Sequence, residues 1–136
     1  MHIDGGCHCG YISYEAEVDP DAVGICHCTD CQTLSGSAFR VTVRSNKGAF
    51  TLRSGQPKIY IKTAESGNRR AQAFCPECGT AIYATNADKP EVYGIRVGTV
   101  RQKAQLRPQR QGWCRSAQDW VMNLESLPKH PKQIAL

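Results

Sequence analysis

Seven of the eight cysteines in this 136-residue chain stand in three tight groups: Cys7-x-Cys9, Cys26-x-Cys28-x-x-Cys31 and Cys75-x-x-Cys78. Thiolates one or two residues apart can converge on one soft metal ion, and zinc is the usual occupant of such sets. Cys7, Cys9, Cys75 and Cys78 make a closed group of four, the pattern of a structural zinc. Cys26, Cys28 and Cys31 make a group of three. A tetrahedral ion held by three thiolates keeps one corner for water or a substrate sulfur, which is how catalytic zinc is usually bound. Two zinc ions per chain, in different roles, are therefore expected.

The spacings suggest how each group is built. On a strand, Cys7 and Cys9 would point to one face with Cα atoms about 6.6 Å apart, half of a site. Cys75-Pro76-Glu77-Cys78-Gly79 supplies the other half. Its two intervening residues let both sulfurs converge, Pro76 stiffens the turn, and Gly79 is free to take the positive φ that follows such a knuckle. Joining the halves closes a loop of roughly 65 residues, which by analogy with a disulfide removes about 4 kcal/mol of unfolded-state entropy. Cys26-His27-Cys28-Thr29-Asp30-Cys31 compresses both spacings into one segment. Three thiolates on a divalent ion leave a net charge of −1, and a thiol entering the free corner would ionise at neutral pH. His8, His27 and Cys114 are the candidates for a fourth ligand that would close this site. Strand alternation turns His27 away from Cys26 and Cys28, and His8 away from Cys7 and Cys9. Cys114, beside Trp113, reads as a buried free thiol.

The elements that position these groups read as mainly β, with several short antiparallel strands and one or two helical turns. Tyr11 to Val18 alternates with period two, placing Ile12, Tyr14, Ala16 and Val18 on one face and Ser13, Glu15 and Glu17 on the other. Asp19-Pro20-Asp21 is expected to end that strand. Val23 to Cys26 begins a second, Phe39 to Val43 a third, and Ala49 to Leu52 a fourth after a Ser45-Asn46-Lys47-Gly48 turn. Lys58 to Lys62, Arg70 to Phe74, Ala81 to Ala84 and Glu91 to Val97 follow, bounded by Gly, Pro or Asn. Helical turns are expected at Thr29-Asp30-Cys31-Gln32, which has capping-box spacing, and around Ser116 to Trp120.

Composition suits one small domain over residues 1–136, large enough for a single modest core that metal staples would reinforce. No signal-peptide pattern opens the chain, and no apolar run approaches the roughly 20 residues that span a membrane. A reduced cytoplasmic protein whose cysteines bind metal is therefore expected in place of a secreted disulfide framework. Residues 1–30 carry a formal charge of −6 and the remainder +11, for a net +5. No acid lies between Glu91 and Asp119, where Arg96, Arg101, Lys103, Arg107, Arg110 and Arg115 all fall. Such a stretch reads first as a solvated basic surface; as a binding face it suits small anions better than nucleic acid, because the basic residues are not grouped with exposed aromatics.

Gly6-Cys7-His8-Cys9-Gly10, Cys26-His27-Cys28-x-x-Cys31, Leu34-Ser35-Gly36-Ser37-Ala38-Phe39 and Phe74-Cys75-Pro76-x-Cys78-Gly79-Thr80 together resemble the ordered pattern of the glutathione-dependent formaldehyde-activating enzyme family, also called centromere protein V-like. The resemblance runs over roughly residues 2–130, with Trp120 and Leu127-Pro128 matching its C-terminal part. It implies a β-tent fold, a structural zinc at Cys7, Cys9, Cys75 and Cys78, and a catalytic zinc at Cys26, Cys28 and Cys31. It also implies carbon–sulfur lyase chemistry on a glutathione adduct, joining glutathione and formaldehyde reversibly as S-hydroxymethylglutathione. Cys114 has no counterpart in that pattern. Some of Arg40, Arg44, Arg69, Arg70 and Arg96 are expected to bind the glutathione carboxylates. The alternative is a zinc-stapled binding module for a small thiol or protein, without turnover. A methionine sulfoxide reductase would need a reactive metal-free cysteine, a part open only to Cys114.

Overall fold

The alternation that begins at Ile12 does what period two predicts: Ile12, Tyr14, Ala16 and Val18 are 0–3 % exposed, whereas Glu17 faces solvent. The computed structural model describes residues 1–135. The strands are β1 (His2–Gly6), β2 (Ser13–Cys26), β3 (Arg40–Ser54), β4 (Lys58–Thr63), β5 (Arg69–Phe74), β6 (Ala81–Asn86), β7 (Tyr93–Arg96) and β8 (Arg110–Gly112). One helix, α1 (Thr29–Ser35), joins β2 to β3, and short 3-10 turns lie at Val97–Thr99, Lys103–Gln105 and Cys114–Ser116. The strands form one sheet in the order β1-β2-β3-β7-β6-β5-β4, antiparallel throughout that path, with β8 added parallel to β2. The chain is thus mainly antiparallel β. Among the described residues no helix is long and apolar enough to cross a membrane.

Two strands run further than local signals suggest. Asp19-Pro20-Asp21 does not end β2: the register slips between Val18 and Val23, and the strand continues to Cys26. Proline is tolerated there because the slipped residues pair with nothing, so no ladder donor is lost. Likewise Ser45 to Gly48 is a bulge inside β3, not a turn between strands. Gly48 takes φ 70° and gives its N–H to Glu91 O at 2.8 Å. The helical turn expected around Ser116 to Trp120 begins earlier, as the 3-10 turn at Cys114–Ser116.

The sheet has two unlike faces. On one, a cross-strand row of Val23, Val43, Ile95, Tyr83 and Ala73 lies in the core, none more than 8 % exposed. Phe50 ties this core together, with ring centroids 5.4, 5.0 and 4.6 Å from those of Tyr14, Tyr83 and Tyr93. Tyr14 gives its hydroxyl proton to Thr99 Oγ1 at 2.7 Å, and Thr99 in turn donates to Arg96 O at 2.8 Å. Gly5 makes room for this pair, since a Cβ there would meet Thr99 O and the Tyr14 ring. On the other face the same strands present Gly24 and Cys26, Arg40, Thr42 and Arg44, and Arg96. The hydrophobic face holds the sheet together, and the polar face carries the chemistry.

Candidate metal centres

Cys7 and Cys9 sit in the turn between β1 and β2, not on a strand. Cys7 N–H donates to Ile12 O at 3.0 Å, Gly10 N–H donates to Cys7 O at 3.3 Å, and Gly10 takes φ 85°. The turn brings their sulfurs to 3.6 Å, closer than a straight strand allows. Cys75 and Cys78 occupy the turn between β5 and β6, where Gly79 at φ 79° donates to Cys75 O and Cys75 donates to Thr80 O. Cys9 Sγ lies 3.8 Å from Cys75 Sγ, and all four sulfurs fall within 4.8 Å of one another. A tetrahedral ion with bonds of about 2.3 Å sets sulfurs about 3.8 Å apart, so the donor set fits a zinc-sized ion.

Outer groups aim hydrogens at these sulfurs. Ile12 N–H donates to Cys7 Sγ at 3.1 Å. Thr80 Oγ1 accepts the His8 N–H at 3.2 Å, which leaves its own proton to point at Cys78 Sγ, also 3.2 Å away. That hydroxyl, with the Thr80 and Cys9 amides, holds the Cys78 thiol down to about 5. At Cys9 the pull of the Tyr11 amide is outweighed by burial and the neighbouring thiols, and the group is pushed up to about 12. Four such thiols cannot all ionise side by side without a cation among them.

The second group is assembled where β2 runs into α1. Cys26 ends β2, and His27 N–H extends the ladder to Gly112 O at 3.1 Å. Cys28 is the N-cap of α1, and its sulfur accepts the Cys31 N–H at 3.3 Å. The expected capping box at Thr29 is therefore displaced by one residue, with a sulfur as the capping atom. The sulfurs of Cys26, Cys28 and Cys31 lie within 4.8 Å of one another, and no other Cys, His or carboxylate among the described residues joins them. His27 is fully buried, hydrogen-bonded through Nε2 to Gln111 Oε1 at 2.7 Å and packed edge-on against Phe39. Cys114 is exposed, not buried, and stands outside the group.

Electrostatics differentiate these three thiols. Burial opposes ionisation of Cys28, but the Cys31 amide and the other two thiols outweigh it and draw its pKa below the usual thiol value. Burial pushes Cys31 up to about 12, with Cys26 adding to the rise and Arg40 opposing it. One ready thiolate beside one that resists ionisation is a donor set that a divalent cation would complete.

Several supporting residues carry no sequence signal. Gln32 Nε2 donates to His27 O at 2.7 Å and to Ser116 O at 3.0 Å, fastening the C-terminal segment over α1. Lys62 bonds Asp30 at 2.9 Å and lines, with Cys28, Trp113 and Arg115, a cavity of about 480 Å³. Trp113 is the one non-glycine residue at positive φ (55°) among those described, with the Arg115 guanidinium 5.2 Å from its ring centroid. Such a conformation costs free energy that only its surroundings can offset, and Trp113 shares the wall of that cavity with Cys28.

Residues 2–116 match the family described as glutathione-dependent formaldehyde-activating enzyme. The chain belongs to this family. The match ends before Trp120 and Leu127-Pro128, so the C-terminal likeness lies beyond it. A Rhodobacter sphaeroides protein, solved as a structural-genomics target, superposes with a TM-score of 0.61 at 19 % identity over 79 % of this chain and 98 % of its own. At that identity it speaks for the fold alone.

Proposed function

We propose that the chain is a zinc-dependent carbon–sulfur lyase that forms and cleaves glutathione–aldehyde adducts of the S-hydroxymethylglutathione type. The observation that carries this reading is the unequal donor count, four thiols in one group and three in the other. The four-cysteine group would hold a structural zinc, and Cys26, Cys28 and Cys31 a catalytic one. Zinc held by Cys26, Cys28 and Cys31 would supply the Lewis acidity that lets a substrate thiol ionise at neutral pH. The reaction itself needs no outside oxidant or reductant. In synthesis a C–S bond forms, the carbonyl π bond opens, and the thiol proton ends on the new hydroxyl; cleavage is the reverse. The protein's own part is to keep three thiols together, to stabilise Cys28 as a thiolate through the Cys31 N–H, and to hold positive charge beside an anionic centre through Arg40. A thiol-binding module without turnover would share this geometry, so the test must read coordination and catalysis separately.

Purified protein is expected to contain close to two zinc ions, falling to one in Cys28→Ser and staying at two in Cys114→Ser. With cobalt in place of zinc, the thiolate charge-transfer band should grow saturably with glutathione and hardly respond to S-methylglutathione, which has no thiol to ionise. A band indifferent to glutathione in wild type but responsive in Cys114→Ser would mean that Cys114 caps the ion, which would defeat the lyase reading. Acid should strip the ions in two steps, three-cysteine group first. Protons there compete with an ion held by three thiolates rather than four, so less binding energy opposes release. A chromogenic chelator followed over pH reports the steps, and simultaneous release would contradict the difference in role.

A further inference from the structure

Four arginines on the polar face of the sheet form no ion pair with a carboxylate. Arg40 and Arg44 flank Thr42 on β3, Arg96 is the cross-strand partner of Thr42 on β7, and Arg70 on β5 repels Arg44. Among the described residues none of the four forms an ion pair, although Asp4, Glu15, Asp30 and Asp88 each hold a cation elsewhere. Arg40 is only 9 % exposed. Arg96 donates to Thr42 Oγ1 at 3.3 Å and to Gln72 Oε1 at 2.7 Å, while its buried Nε has no partner. Neutral oxygens fix the guanidinium in place without neutralising its charge, and the Cys31 and Cys26 thiols offset only part of the cost of its burial.

The metal centre does not account for the cluster. Three thiolates and one divalent ion sum to −1, enough for one arginine, and Arg40 acts directly on Cys31. Burial and then Arg40 draw Arg96 down to about 9, so it remains protonated at neutral pH and stands to gain from an anion. Arg40 and Arg96 share the wall of a cavity of about 440 Å³ with Lys58, Tyr60 and Leu34. On the far side Arg96 meets Arg44 and Arg70 around a second cavity of about 520 Å³, where Glu91 is paired with Lys47 and Lys89. The cross-strand pair Gly94 and Ala84 also lines this cavity. Cys26 pairs with Arg40, and Arg96 pairs with Thr42 two residues along, so the Cα atoms of Cys26 and Arg96 stand about 12 Å apart. The reach of the arginine side chain shortens that gap to the length of a peptide-sized thiol.

Resting on the three-cysteine group as a thiol site, we infer that Arg96, flanked by Arg40, binds a carboxylate of the substrate and thereby selects anionic thiols over neutral ones. Charge-assisted bonds from a preorganised guanidinium to a carboxylate are among the stronger polar contacts, and here desolvation is already spent in the free protein. Arg69 belongs to a different environment: it is exposed and bonded to Asp88 at 2.7 Å.

Isothermal titration of the zinc-loaded protein with S-methylglutathione, its dimethyl ester, glutathione and 2-mercaptoethanol tests the inference. S-methylglutathione should bind wild type and lose roughly 10- to 100-fold in affinity in Arg96→Gln, with glutathione losing the same factor. The ester should bind wild type no better than the acid binds the variant, and 2-mercaptoethanol should be unaffected by the substitution. Arg96→Gln should also melt no lower than wild type, because it removes an unpaired charge, and Arg96→Lys should recover part of the affinity. Equal affinities of acid and ester for wild type, or an unchanged acid affinity in Arg96→Gln, would overturn the inference and leave the arginines as counter-ions of the thiolates. If no thiol perturbs the cobalt spectrum while S-methylglutathione still binds through Arg96, the carboxylate site stands and the lyase reading falls.

Discussion

Replacing Cys28 by serine is expected to lower the catalysed rate of S-hydroxymethylglutathione formation and cleavage by at least about 10³-fold, the loss of roughly 4 kcal/mol of transition-state stabilisation. The substitution is chosen because serine preserves the other role of the residue. Cys28 is the N-cap of α1, and a serine oxygen there still accepts the Cys31 N–H, so the helix start survives while one of three thiolates is removed. The melting temperature should therefore move by only a few degrees. Thiols and formaldehyde combine without a catalyst, so the quantity to measure is the exchange rate above the spontaneous background, at constant protein and thiol concentration. A variant that keeps wild-type exchange while containing one zinc would remove the three-cysteine group from the reaction. A variant that loses exchange by unfolding would show it in the melt, and Cys31→Ser, whose sulfur caps nothing, then gives an independent reading.

Cys78→Ser is expected to do the opposite: a fall in melting temperature of about 12–20 °C, with a larger loss of folded protein under a chelator. The two turns that carry the four-cysteine group are separated by most of the sheet in sequence, and an ion joining them closes a loop of roughly 65 residues, removing about 4 kcal/mol of unfolded-state entropy. For a chain of this size each kcal/mol corresponds to about 3–5 °C. Cys78 is preferred to Cys75 because it is exposed, whereas Cys75 is fully buried and a serine there would also bury a hydroxyl. Thermal melts followed by circular dichroism, with and without added zinc, read the effect. Equal losses for Cys78→Ser and Cys28→Ser would mean that both groups are structural.

The family pattern is concentrated in short local motifs, which is why it survives in a chain whose fold is carried by distant pairings. A structural neighbour at 19 % identity superposes over 79 % of this chain. Strand pairing depends on alternation and burial, which many sequences satisfy, whereas a cysteine set depends on residue type and spacing, which few do.

Local chemistry was therefore legible in the sequence, and long-range placement was not. The three cysteine groups, the knuckle at Cys75 to Gly79 and the inward row of Ile12, Tyr14, Ala16 and Val18 are all written in residues a few positions apart, where spacing and period two act directly. The continuity of β2 through Asp19-Pro20-Asp21 was hidden, because whether a proline breaks a strand depends on whether a partner needs its N–H. β8 was hidden for the same reason: Arg110–Gly112 has no strand character of its own and is held by pairing with Gly24 to Cys26. Charge misled most. The acids of residues 1–30 look segregated from the later basic residues, yet Asp4 meets Arg101, Glu15 meets Arg53 and Asp30 meets Lys62. Those pairings take up three of the six acids, and of the arginines that form no ion pair among the described residues, Arg40, Arg44, Arg70 and Arg96 are brought to one face by cross-strand register. Composition counts charges, but only the tertiary structure decides which of them remain unpaired, because Coulomb interaction depends on distance in space and on burial, neither of which is a property of position along the chain.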